Sequence, residues 1–233
     1  GLLIVWRAFC FSTMLLLVIE DLRNKGCRYE MYTFWGEITT LLVFFLLTAC
    51  SIEKYAQSKS DATLCNGKLF KATSFWFQQA MMQEITITVL FWSFLYFIAT
   101  DLKNMSWQMI KEKLYYDIVL DTDNYNHSIP IVLLMIEFGV NNIQFSWKHL
   151  AIHILSNVAY MVLQCYLSRS RNKEVYPGID WINDPKGSAI KSHATLVVTL
   201  VFFFMIKGLL FIKFRLNGIT HKIAKTDALD KLL

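Results

Sequence analysis

Thr33, His127 and Asp180 bring a hydroxyl, an imidazole and a carboxylate to the edges of three different apolar stretches. An imidazole can take the proton of a hydroxyl that attacks an acyl carbon, and a carboxylate nearby can line the same polar mouth. Each residue also has a plainer reading. Thr33 suits a helix N-cap, where its oxygen would accept a backbone N–H. His127 suits an interfacial histidine that hydrogen-bonds at a helix start. Asp180 belongs to Tyr176-Pro177-Gly178-Ile179-Asp180-Trp181, in which Pro177-Gly178 marks a turn and Tyr176 and Trp181 suit membrane-interface anchors. Asn126 adjoins His127, and Asp121 and Asp123 lie just before it. These acids either reach the imidazole or sit in a solvated loop.

Their positions are set by apolar segments. The chain has 233 residues, 55% of them hydrophobic and only 18% charged, below the roughly 25% of soluble domains. About 20 mostly apolar residues are needed for each bilayer crossing, and such runs recur. The expected fold is an all-α polytopic membrane bundle of about six transmembrane helices over residues 1–212, with a basic soluble tail over 213–233. The helices are expected near 2–19, 33–52, 74–99, 127–143, 147–167 and 193–211. Pro130 sits where a first helical turn tolerates it. The polar stretch 53–73 reads as a loop, with Asn66-Gly67 as a turn signal. Trp107, Tyr115 and Tyr116 suit an interfacial helix within 101–125. Residues 1–20 read as a retained helix, because no small-residue cleavage site follows them. Six crossings put both ends on one side, expected to be cytosolic, although Lys and Arg divide almost evenly between the two sets of loops. Alternation then puts the starts of helices 2, 4 and 6, and so Thr33, His127 and the Tyr176–Trp181 segment, at one membrane face.

The remaining polar residues mostly read as structural. Gln78, Gln79, Gln83 and Glu84 make helix 3 too polar to face lipid all round, so it should face the bundle interior or the interface. Arg7, near a helix end, should snorkel to the interface. Glu84 and Glu137 are intramembrane carboxylates, which invite functional hypotheses. Glu137 lies about 15 Å below His127 at helical rise, too deep to orient that ring, so a structural hydrogen bond is expected. His149 and His153 share a helix face at metal-ligand spacing, but no third ligand is evident and hydrogen bonding within the bundle is the preferred reading. Neither metal nor organic cofactor is expected. The cysteines form no CxxC pair: Cys10, Cys50 and Cys165 read as packing residues, and Cys27 and Cys65 fall in loops on opposite sides. The net charge of +5 fits anionic lipid headgroups. Without basic–aromatic interleaving, nucleic acid is excluded as a partner.

The strings Tyr32-Thr33-Phe34-Trp35-Gly36 and Asn126-His127, the latter running into an apolar helix that ends in Ile136-Glu137, resemble the androgen-induced-gene family of membrane hydrolases and the related rolling-stone proteins. Val175-Tyr176-Pro177-Gly178-Ile179-Asp180-Trp181 is similar to the rolling-stone branch in particular. Together the motifs span roughly residues 30–190. The resemblance implies hydrolysis of fatty acid esters of hydroxy fatty acids, with Thr33 as nucleophile and His127 as its partner, in the endoplasmic reticulum or plasma membrane. Thr39 and Thr40 are rival nucleophiles one to two turns deeper. Membrane lipids are the expected partners. The rolling-stone branch is not firmly tied to an activity, so the competing reading is a non-catalytic membrane subunit of a larger assembly, with aromatic faces such as Phe44-Phe45 and Phe202-Phe203-Phe204 buried against partner chains or lipid. A transporter is disfavoured by the lack of inverted repeats and of Gly/Pro-broken helix pairs.

Overall fold

In the computed structural model, the structure describes residues 1–25, 31–57, 67–95, 125–176 and 179–216. Among these residues there is no β-strand, and six α-helices form one bundle: α1 (Leu2–Lys25), α2 (Tyr32–Gln57), α3 (Gly67–Leu90), α4 (Ile129–Val140), α5 (Trp147–Arg171) and α6 (Pro185–Leu216). A π-helical turn, Phe91–Leu95, continues α3. The helix ends follow local chemistry. Asp184 accepts the Gly187 N–H at 2.9 Å just before α6, and Pro185 takes the first helical position, where its missing N–H costs nothing. Ser146 accepts the Lys148 N–H at the start of α5. Asn172 ends that helix in the left-handed region at φ 48°, a conformation asparagine tolerates.

The bundle is apolar inside and out, as a membrane demands. Phe44, Phe77, Phe203, Met14 and Leu134 are fully buried in one core, while Phe45, Leu155, Val162, Phe204 and Phe211 point outward. A bundle surrounded by water would carry polar residues on those outer faces. Within each aromatic cluster singled out from the sequence, one ring belongs to the core and its neighbour to the surface. Four helices, α1, α2, α5 and α6, are long and apolar enough to cross a membrane. The other two depart from the expected uniform six. Helix α3 carries Gln78, Gln79, Gln83 and Glu84, all buried, because its neighbours rather than lipid surround it. Helix α4 has 12 residues, about 18 Å of rise, against the roughly 30 Å hydrocarbon core.

The polar column of α3 ties the bundle together. Gln78 donates to the Gln144 carbonyl at 2.6 Å and accepts the Ser146 N–H at 2.8 Å, which clips the α4–α5 link. Gln79 donates to the His149 carbonyl at 2.9 Å, and its amide oxygen meets the His153 Nδ1 at 3.2 Å. That bond is the intrabundle use expected for His153. His149 packs edge-on against Phe75. We expect Gln78→Leu to leave the Gln144 carbonyl and Ser146 N–H without this partner, at about 1–3 kcal/mol. Thermal unfolding in detergent measures it, and an unchanged midpoint counts against the clip.

Several expectations are corrected. Arg7 does not snorkel; it is buried and hydrogen-bonded to Glu137, Ser51 and the Leu47 carbonyl. Glu137 therefore has an ion-pair partner rather than a lone hydrogen bond. Residues 67–73, expected in a loop, are the first two turns of α3, and α6 begins eight residues before His193. Lys213 and Arg215, assigned to the tail, are part of α6, where the Lys213 ammonium holds the Phe138 and Asn141 carbonyls at the end of α4. These contacts put the start of α1 and the ends of α2, α4 and α6 at one end of the bundle, as alternation requires. The proposed interfacial helix, Cys27, Cys65, Asp121, Asp123, Pro177, Gly178 and residues 217–233 lie outside the described residues.

Candidate active site

At the opposite end, one cavity of about 340 Å³ opens among α2, α3, α5, α6 and the segment before α4. Thr33, His127 and Tyr176 all line it. Its wall includes Ile87, Leu90, Phe91, Met161, Ile179 and Ala194, so the polar groups face a predominantly apolar space. Lys191 stands exposed at the rim.

Each polar group is held by a neighbouring element. The His127 ring stacks on Phe91, with centroids 3.8 Å apart and planes 14° apart, and its backbone carbonyl accepts the Thr88 hydroxyl at 2.7 Å. The π-turn after α3 thus fixes the plane of the imidazole. Thr33 sits in the first turn of α2, where backbone N–H groups lack intrahelical partners. The hydroxyl of Tyr176 accepts the Tyr32 N–H at 2.7 Å and the Thr33 N–H at 3.4 Å. It also meets the Thr33 and Tyr160 side-chain hydroxyls. A tyrosine 144 residues away therefore caps the helix that carries Thr33. Tyr32 in turn donates to Asn157 Oδ1 and packs its ring 4.8 Å from that of Tyr160. Burial pushes the Tyr176 phenol up, chiefly through desolvation, so it keeps its proton across the physiological range.

No family model, curated protein or solved structure matches this chain. What the site can do rests on its own geometry.

The remaining sequence candidates fall outside that geometry. Asp180 does not line the cavity; it closes a turn, accepting the Ile182 and Asn183 N–H groups at 2.9 Å each and the Asn183 amide at 2.7 Å. Those Asn183 bonds hold its carboxyl below the usual range. Trp181 is buried, not an exposed interfacial anchor, and its indole N–H reaches Gln164 Oε1 at 3.4 Å. Asn126 is buried and donates to Asp21 Oδ1 at 3.3 Å, so it ties the approach to α4 to the end of α1. Thr39 donates to the Trp35 carbonyl and Thr40 to Glu84, and neither lines the cavity. Between the rival threonines, only Thr33 faces it.

Sequence reasoning passed over the contribution of α5. His153, Asn157, Tyr160 and Gln164 recur at three- and four-residue spacing, which puts them on one helix face. Asn157, Tyr160 and Gln164 line the cavity. That polar stripe in an otherwise apolar segment was the available signal. Glu37, buried one turn below Thr33 on α2 and electrostatically coupled to Glu84, was also passed over.

Proposed function

We propose that this protein hydrolyses a lipid ester, with Thr33 as nucleophile and His127 as general base. The observation that carries the reading is the shared cavity: a primary-turn hydroxyl and a ring-stacked imidazole, far apart in sequence, line one apolar-walled space at a bundle end. An acyl chain would lie along Ile87, Leu90 and Met161, with its carbonyl at the polar end. Thr33 Oγ attacks the acyl carbon, and its proton passes to His127. The tetrahedral adduct collapses, the ester C–O bond breaks, and His127 returns the proton to the departing alcohol. Water, deprotonated by the same imidazole, then attacks the acyl-threonine; the acyl C–Oγ bond breaks, His127 returns the proton to Thr33 Oγ, and the fatty acid leaves. Fatty acid esters of hydroxy fatty acids belong to the substrate class that suits such a cavity.

A fluorophosphonate probe tests the site in purified protein. Thr33 Oγ forms the O–P bond as fluoride leaves. We expect labelling of wild type and background labelling in Thr33→Ala and His127→Ala, with both variants folded. Labelling retained in both variants removes this site. Folded wild type that takes no label points instead to a non-catalytic bundle.

A further inference from the structure

We infer that Tyr176 is a further catalytic residue of this site, its phenolic O–H being the donor that supports the Thr33 oxygen as it loses its proton. The inference rests on the hydrolase reading and adds a third participant to it.

A phenol has two acceptor lone pairs and one proton to give. The Tyr32 and Thr33 N–H groups point at the Tyr176 oxygen from the first turn of α2, which takes up both lone pairs. The one proton remains, and the neighbouring hydroxyl oxygens that can receive it are those of Thr33 and Tyr160. Donation to Thr33 leaves the threonine's own proton free to turn into the cavity that His127 lines. Accepting from two helix N-terminal N–H groups also polarises the phenol, because chained hydrogen bonds strengthen one another and the helix start is the positive end of its dipole. As its proton leaves for His127, Thr33 Oγ therefore meets a donor that is already oriented. Tyr160 has a supporting part: its ring packs at a tilt beside Tyr32 and its hydroxyl borders the same oxygen.

A merely structural cap would show in stability alone. The test therefore reads the rate at which the fluorophosphonate labels the full-length protein, across pH. Tyr176→Phe, kept within its folded range, is expected to label roughly tenfold more slowly than wild type, the effect of losing one hydrogen-bond donor to the attacking oxygen. The second variant keeps the shape: a difluorotyrosine placed at position 176 has a more acidic phenol. We expect its labelling rate to match or exceed wild type at low pH, then fall on an alkaline limb where the fluorinated phenol ionises and ceases to donate. Wild-type rates from Tyr176→Phe, or a difluorotyrosine profile without the new limb, overturn the inference while Thr33→Ala still abolishes labelling and the hydrolase reading stands. Absence of labelling in folded wild type overturns both.

Discussion

Arg7→Ala is expected to destabilise the bundle by about 3–5 kcal/mol, because it strands a buried carboxylate. Glu137 is fully buried, and the Arg7 Nε donates to its Oε1 at 3.1 Å. The same guanidinium reaches Ser51 and the Leu47 carbonyl near the end of α2. One side chain therefore joins α1, α2 and α4, and its loss leaves a charge in surroundings that cannot solvate it. The comparison that isolates the cause is Arg7→Leu/Glu137→Leu. Removing both charges is expected to be neutral or even stabilising relative to wild type. Thermal unfolding in detergent supplies the measurement. If Arg7→Ala melts with wild type, the pair is dispensable; if the double leucine variant melts as low as the single, packing rather than charge explains the loss.

The second large effect concerns Gly36, two residues after Phe34 in the motif that begins α2. A Cβ built on Gly36 would stand 2.6 Å from Glu84 Oε1 and 2.7 Å from Ile87 Cδ1. Both atoms would have to move. Glu84 Oε1 is held at 3.1 Å by the Thr40 hydroxyl, so moving it also breaks a hydrogen bond in a buried seam. Gly36→Ala is expected to cost about 1–3 kcal/mol, beyond the helix propensity that alanine gains. Ile87 also lines the cavity, so the substitution should slow probe labelling of Thr33 as well. A double-mutant cycle separates the two contacts: in a Glu84→Ala background, Gly36→Ala should cost distinctly less. An equal cost in both backgrounds assigns the clash to Ile87 alone.

The glycine shows how far the motif could be read. Its presence between an aromatic residue and an acid was visible, but the need for it arises from α3, whose approach no local pattern predicts. The same division runs through the site. Thr33, His127 and Tyr176 could be placed at one membrane face by counting helices, since alternation of spans needs only segment number. Asp180 and Trp181 could be placed at that face too, yet they turn away from the cavity. A carboxylate two residues before a pair of free N–H groups closes a local turn, and that short-range bond outcompetes a role at the mouth. Arg7 departs from its sequence expectation for the opposite reason. Near a helix end an arginine snorkels unless a buried anion waits at the same depth, and Glu137 comes from 130 residues away.

The amino-acid sequence by itself determined that this chain is an all-α bundle suited to a membrane, with α3 too polar to face lipid all round and Thr33 and His127 on one side. Composition, run length and helical alternation are local or additive properties, and they survive without knowledge of contacts. Only the tertiary structure decided which polar groups meet. It brought Tyr176 to the Thr33 turn, added Asn157 and Tyr160 from α5, paired Arg7 with Glu137 and set Lys213 on the end of α4. In an apolar medium a polar group is costly until another satisfies it, and which partner does so depends on helix rotation and depth. Those quantities emerge when all six helices pack at once, and no single segment encodes them.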